Sequence, residues 1–367
     1  MSAPRFERIL VLKLRDLGDL LLATPALRAL REAQPGARID LLAQPFAARI
    51  VRPARLVNNH LAMPRETLER AARRGPGGAL FLAAFVGALR RRRYDACVLL
   101  EHLTTGRGVL NYAGLTLATG APRRFGLDNG RGWFLTDRAP DAGFSARPEA
   151  EYWLSVVAML GADDRLRPTE LPVTEADRAS AEGLLAGLRR PIVALHPGGG
   201  PYAQARRWPL DRFVALGATL RDRRGAELVV VGNEPEPNGA LAAATGARDL
   251  TGRTPLGVLA ALLGRVDLLV TNDSGVMHVG AAAQSRMVAI WGQTDPRAWG
   301  PYYGRPGTDG LAETVELPLP CRPCLYRGRE LGWRGGCATR ECLELLSVGR
   351  VLAAAERQLD RARAPSG

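Results

Sequence analysis

Residues 9–14 form an apolar run broken only by Lys13, which reads as a buried strand. Residues 20–32 then carry apolar positions at helical spacing, ended by Gln34-Pro35-Gly36. Residues 38–43 read as a second strand. This order predicts a parallel sheet with a right-handed crossover. A further strand is predicted at 94–100, and residues of about 44–93 read as an irregular, helical insertion. The pattern restarts after residue 190. Strands are predicted at 191–195, 227–231, 267–271 and 287–291, with helices at 210–223, 256–263 and 277–283. Residues 347–362 read as an amphipathic helix. The polar, proline-bearing stretch 163–182 separates the halves. The expectation is an α/β chain of two doubly wound units, residues 1–172 and 173–346, followed by a helical segment, 347–367.

Length and composition agree with that reading. The 367 residues suit two domains of moderate size, and 46% hydrophobic with 24% charged residues excludes a disordered or fibrous chain. Charge changes the picture more. Lys+Arg is 50 against Asp+Glu 37, a net +13, and Lys13 is the only lysine. Such an arginine excess reflects either coding composition or an acidic partner.

No secretory signal is read at the start, which predicts a cytoplasmic chain. No segment has the roughly 18–20 apolar residues of a spanning helix. The longest candidate, 80–89, lies between Arg70, Arg73, Arg74 and the run Arg90-Arg91-Arg92-Arg93. It is either a buried helix followed by a solvated basic turn, or a basic, apolar element lying on an anionic membrane surface. Cys97 sits alone in an apolar strand. Cys321, Cys324, Cys337 and Cys342 are clustered at a spacing that suits a small structural zinc site, with free or redox-active thiols as the alternative.

In doubly wound sheets, ligands bind beyond the carboxyl ends of the strands, so the chemistry is sought there. Gly18-Asp19 opens the first predicted helix. Asp19 is either a helix cap or a carboxylate able to take a proton from an acceptor hydroxyl, with Asp16 as runner-up. Glu101 and His102 follow the 94–100 strand. Gly198-Gly199-Gly200 exposes backbone N–H groups that suit an anion, and Arg206 adds a cation that pairs with phosphate. Trp208-Pro209 starts the next helix and braces the loop. Asp273-Ser274-Gly275 with His278 opens a helix after a strand, where phosphate is favoured, and Asp273 is suited to sugar hydroxyls. Thr294 follows the next strand. Glu236, four residues after Gly232, suits a ribose diol, with Glu234 as competitor. No aspartate cluster is placed to hold magnesium.

These residues carry a resemblance. The stretches 9–28, 196–213 and 272–302, including Asp-Ser-Gly-Val-Met-His and Gly-Gln-Thr-Asp-Pro-Arg-x-Trp-Gly-Pro, resemble the bacterial ADP-heptose–lipopolysaccharide heptosyltransferases, glycosyltransferase family 9. The resemblance implies a GT-B fold, two facing Rossmann-like domains with a cleft between them, and a C-terminal helix returning to the first. It implies an inverting, metal-independent transfer of a heptose or related sugar from an ADP-heptose-like donor to a glycolipid or glycan acceptor. Asp19 becomes the general base, with Gly18, Glu101 and His102 on the acceptor side. Arg206 takes donor phosphate, where lysine is frequent in the family. Glu236 meets the ribose, Thr254 lies near the base, and Gly199, Gly200, Asp273, Ser274, Gly275, His278 and Thr294 line the donor. No cofactor is required for catalysis. The resemblance also implies a cytoplasmic enzyme in peripheral contact with the inner membrane surface.

Two other classes compete with this one. A nicotinamide oxidoreductase requires a Gly-x-Gly-x-x-Gly turn after the first strand, and that turn holds only Gly18. A nucleotide-sugar or nucleic-acid binder without transferase activity is permitted by the charge, but no basic–aromatic stacking module is present, so nucleic acid is not expected.

Overall fold

The computed structural model describes residues 4–64, 67, 70–71, 75–200, 204–305, 307–308 and 310–363. Arg73 and Arg74 of the expected basic flank lie outside them. The chain divides into two compact units: residues 1–170 with 328–331, and residues 171–327 with 332–367.

The first unit holds strands β1 Arg8–Lys13, β2 Arg38–Ala43, β3 Asn59–Ala62, β4 Ala96–Leu99, β5 Arg123–Asp128 and β6 Asp137–Pro140. They pair in the order β3-β2-β1-β4-β5-β6, all parallel. The second unit holds β7 Ile192–His196, β8 Glu227–Val230, β9 Arg248–Asp249, β10 Leu268–Asn272, β11 Met287–Ile290 and β12 Ala312–Val315. Their order, β12-β11-β10-β7-β8-β9, repeats the first pattern, again all parallel. Each sheet therefore reverses its winding at one place, between β1 and β4 and between β7 and β10. That is where a doubly wound sheet leaves a crevice.

The central strands are apolar throughout because both faces are covered. Leu10, Leu12, Val193, Leu195, Val270 and Ile290 are fully buried. Each such side chain contributes roughly 1.5–3 kcal/mol on burial.

The structure corrects two expectations. The region 44–93 is not only helical, since it supplies β3, which pairs with β2. Its helix Gly75–Arg91 is not a buried helix either: only Gly78 and Leu89 in it are buried. The C-terminal helix Val348–Arg363 packs on the second unit. Its Val351, Leu352, Ala354, Ala355 and Leu359 join the second unit's core with Leu216 and Leu220 of helix Leu210–Arg224. The apolar stripe of that helix covers the face of β10–β12, which would otherwise meet water. The excursion Gly328–Leu331 belongs to the first unit instead. There the Phe144 N–H donates to the Gly328 carbonyl, and the Arg329 guanidinium donates to the Asp141 carbonyl.

Candidate active site

In the first unit, the reversal point is built from residues at the ends of β1 and β4. Lys13 is 1% exposed, and its Nζ donates to the Leu100 carbonyl at 2.8 Å. It also lies 3.8 Å from Glu101 and 4.2 Å from the centroid of the Trp153 ring. Arg15 Nε donates to the other Glu101 oxygen at 3.0 Å. A buried lysine is tolerated because a carboxylate, a carbonyl and an aromatic face surround it. Glu101 is thus engaged as the counter-ion of Lys13 and Arg15, rather than free for an acceptor. Lys13 was missed as a site residue. The signal for it was a single lysine ending an apolar run.

Helix Leu17–Leu21 follows, with buried Gly18 in its first turn. Asp16 occupies the N-cap position without a side-chain capping bond. Asp19 lies in the first turn and is half-buried. Its carboxylate has no hydrogen-bond or ion-pair partner among the described residues, so the structure does not use it as a cap. It is a carboxylate at the carboxyl end of β1.

His102 has a different environment from the one expected. Its Nδ1 meets Asp141 at 2.9 Å and its Nε2 meets Glu149 at 3.0 Å. Phe144, Tyr152 and Trp153 pack against its ring. Burial opposes the charge, but the two carboxylates override it and push its pKa up to about 9. Burial alone would raise Asp141 as well. The His102 bond and charge and the Gly143 N–H hold it below the usual carboxylate range instead. His102 is a charged cross-brace with both nitrogens occupied, so it presents nothing to an acceptor.

In the second unit, Arg206 ends a short turn, Gln204–Arg206. Its Nη1 donates to Asp273 Oδ2 at 2.9 Å, and Thr294 Oγ1 donates to the same oxygen at 2.6 Å. Asp273 is 2% exposed, so this carboxylate aims Arg206 and Thr294 rather than standing open to sugar hydroxyls. Ser274 is the N-cap of helix Gly275–Ala282 and makes no side-chain cap, and the first turn holds no acid. The N–H groups of that end, beside buried His278, suit an anion. Arg206, Asp273, Ser274, Gly275 and Thr294 all stand at the β7/β10 reversal or on the strand beside it.

Asn272, not foreseen, ties this region together. Its Nδ2 donates to the carbonyls of Pro197 and Gly198 at 2.8 and 3.0 Å, and its Oδ1 accepts from the Trp208 N–H at 3.0 Å. Trp208 braces the loop as expected, through Nε1 to the Leu346 carbonyl.

Glu234 rather than Glu236 meets the glycine loop. Its Oε1 accepts from the Gly199 and Gly200 N–H groups at 3.1 and 2.8 Å, and its Oε2 lies 2.5 Å from Arg207. An anion arriving at this loop competes with Glu234. Only a glycine fits at 198, because a Cβ there would lie 2.8 Å from Glu234 and 2.9 Å from His196. At Gly232 (φ +128°) a Cβ would lie 2.8 Å from His196 Nδ1. Burial holds the His196 pKa below its ordinary value, so the ring is neutral, with Nδ1–H donating to the Val231 carbonyl. Its Nε2 is a buried acceptor without a partner among the described residues. Glu236 is exposed in the first turn of helix Pro235–Thr245. Thr254 is buried in the loop before helix Leu256–Leu263.

The expected zinc site of the cysteine segment is not shown. Among the described residues no group of three or more His, Cys, Asp or Glu is gathered to hold a metal ion, and the four thiols are free. Cys342 is packed in the core, while Cys337 is exposed, and its pKa is lowered by hydrogen bonds from Thr339 and the Arg340 N–H. What the segment does support is the loop after β11. The N–H groups of Cys324 and Leu325 donate to the Gln293 carbonyl. Arg322 donates to the carbonyls of Gly292 and Thr294. This fixes the backbone that carries the Thr294 hydroxyl.

The family model "Glycosyltransferase family 9 (heptosyltransferase)" matches residues 82–330, well over half of the chain. The chain belongs to glycosyltransferase family 9. It is a glycosyltransferase. The lipopolysaccharide heptosyltransferase 2 of Escherichia coli K12 is 27% identical over 316 residues, 79% of this chain and 84% of that one. The solved E. coli ADP-heptose heptosyltransferase II has a TM-score of 0.69 at 24% identity, covering 97% of this chain and 100% of that one. The E. coli heptosyltransferase WaaC with ADP has a TM-score of 0.67 at 21% identity, covering 96% and 99%. This glycosyltransferase shares the GT-B fold of those enzymes.

Proposed function

We propose that this glycosyltransferase moves a heptose from an ADP-heptose-like donor to a hydroxyl of a lipopolysaccharide-core acceptor, with inversion and without a metal. Asp19 takes the proton of the acceptor hydroxyl. That oxygen attacks the anomeric carbon from the face opposite the diphosphate, the glycosidic bond forms, and the bond to the diphosphate oxygen breaks. Arg206 and the N–H groups at the start of helix Gly275–Ala282 neutralise the departing nucleoside diphosphate. In this reading Glu236 meets the ribose and Thr254 the base. The enzyme works on the cytoplasmic side, where a nucleotide sugar is available. No helix among the described residues is long and apolar enough to cross a membrane, so contact with a lipid-borne acceptor is peripheral.

The observation that carries the proposal is the arginine fixed by Asp273 beside an uncapped helix N-terminus at the reversal point of the second sheet. The names of the relatives supply the sugar: one is a lipopolysaccharide heptosyltransferase, and another was solved with ADP.

The test is to incubate the enzyme with ADP-heptose and heptose-deficient core oligosaccharide and to read the product by mass spectrometry. A gain of one heptose is expected. Arg206→Ala should lower kcat/KM by about 10²–10³. Arg206→Lys should recover part of that loss, because the charge returns without the planar fork. An Arg206→Ala enzyme within about threefold of wild type would remove Arg206 from the donor site, because a lost charged contact is worth more than about 1 kcal/mol. Absence of any product across nucleotide heptoses would remove the donor assignment.

A further inference from the structure

Helix Gly75–Arg91 carries the sequence Gly-Pro-Gly-Gly-Ala-Leu-Phe-Leu-Ala-Ala-Phe-Val-Gly-Ala-Leu-Arg-Arg, yet almost none of it is buried. Leu80 is 73% exposed and Phe81 40%. Phe81 stacks on Phe85, with ring centroids 6.5 Å apart, as i and i+4 neighbours on one face do. The helix touches the next one, Gly106–Ala118, whose Leu110 and Leu117 are also exposed, at 66% and 41%. These two stand seven residues apart and so share a face. Two adjoining helices therefore each leave large apolar side chains uncovered.

Charge selects the occupant. Residues 70–94 contain no Asp or Glu, and neither do residues 103–127. Exposed Arg90 and Arg91 end the first helix, exposed Arg93 follows it, and exposed Arg107 stands in the first turn of the second. At the carboxyl ends of both helices, Arg90, Arg93, Thr119 and Gly120 line a shallow cavity of about 570 Å³ together with Asp95, whose carboxylate is engaged by the Glu7 and Arg8 N–H groups. A second copy of the chain would set these arginines against one another. An anionic lipid surface pairs with them while it takes up the leucines and phenylalanines.

The topology gives this surface a direction. Helix Gly75–Arg91 leads directly into the start of β4, and β4 runs parallel to β1. Arg90–Arg93 therefore lie at the amino-terminal edge of the sheet, opposite the edge where Asp19 follows β1. The helix is about 25 Å long at 1.5 Å per residue. Lying flat, it would run from the Asp19 edge to the arginines.

We propose that the outer faces of helices Gly75–Arg91 and Gly106–Ala118 dock in the plane of an anionic phospholipid bilayer, with Leu80, Phe81, Leu110 and Leu117 in the acyl boundary and Arg90, Arg91 and Arg93 on the lipid phosphates. The inference goes beyond the transfer reaction. It gives the lipid-borne acceptor of that reading a place, and it is measured without any transfer.

The experiment is flotation of the full chain with vesicles of phosphatidylethanolamine and phosphatidylglycerol, and separately with vesicles of phosphatidylcholine alone. Wild type should float with the anionic vesicles, about tenfold less with the neutral ones, and progressively less as salt rises. Leu80→Asp/Phe81→Asp and, separately, Arg90→Glu/Arg91→Glu should each lower binding by at least about tenfold. All these side chains are exposed, so melting temperatures should match wild type. Leu110→Asp is a second apolar probe on the neighbouring helix. Transfer to a delipidated, soluble acceptor should be unchanged in every variant, which separates failure of docking from failure of the proposed reaction. Wild type that stays in solution with both vesicle types overturns the proposal. So do variants that float like wild type. A wild-type dimer that Leu80→Asp/Phe81→Asp converts to monomers would overturn it too, by assigning the face to a second copy.

Discussion

Asp19→Asn is expected to lose turnover by about 10²–10⁴ while binding the donor as wild type does. The amide keeps the size and most of the polarity of the side chain but cannot take a proton. Asp19 has no partner among the described residues, so the substitution breaks no bond that holds the helix Leu17–Leu21 in place. The melting temperature should therefore stay close to wild type, and a structural explanation of the loss is excluded in the same experiment. Donor affinity, read by titration with ADP, should be unchanged, because the residues assigned to the donor are in the second unit. If Asp19→Asn turns over within about tenfold of wild type, a barrier change of roughly 1.4 kcal/mol, Asp19 is not the base. Asp16→Asn is then the next variant to measure.

The second large effect concerns stability. His102→Gln should destabilise the protein by about 3–5 kcal/mol, because it strands two buried carboxylates that now share one cation. For a unit of this size that is roughly 6–20 °C in melting temperature. The pH dependence identifies the cause. His102 has a folded pKa of about 9, against an ordinary value of about 6.5 in the unfolded chain. A raised value means that the stabilisation is complete below about pH 6.5 and is lost as the pH rises through 9. Wild type should therefore lose on the order of 3 kcal/mol between pH 6.5 and 9.5, and His102→Gln should be flat over that interval. Asp141 has the opposite sign. Its depressed pKa gives stability that is present above about pH 4 and falls away on acidification. Denaturant midpoints across the pH range measure both limbs. Parallel curves for wild type and His102→Gln would show that the imidazole is not the charged brace described here.

Legibility in the sequence followed burial. The interior strands β1, β2, β7, β8, β10 and β11 are continuous apolar runs, since helices cover both of their faces, and each was readable within a residue or two. The missed strands were outer ones. Arg-Arg-Phe-Gly-Leu-Asp in β5 and Asp-Arg-Ala-Pro in β6 carry exposed, polar positions, and β9 is two residues long. A strand with a wet face has no continuous apolar pattern to read. β3 was hidden in the same way inside a region that otherwise looks helical.

The site divides along similar lines. The loops that follow the strands were readable, because a doubly wound sheet places its ligands there. Partnership within those loops was not. Glu234 and Glu236 differ by two residues, yet only Glu234 meets the glycine N–H groups. Asp273 looked like a sugar contact but holds Arg206, which is 67 residues away. His102 looked available but is bonded to Asp141 and Glu149. Among the described residues no metal-holding group is gathered from the four cysteines, while Arg322, inside the same segment, fixes the Thr294 backbone.

The amino-acid sequence by itself determined the two-unit α/β plan, the edge of each sheet that carries the chemistry, and the family. Apolar periodicity and strand-end motifs are local properties, so they can be read along the chain. The tertiary structure alone decided which carboxylate is free and which is a strut, which unit the last helix covers, and that the apolar helix at 75–91 is left bare. Those outcomes depend on which side chains are brought within about 3 Å of one another and on which surfaces lose their water. Both are set by packing between residues far apart in the chain.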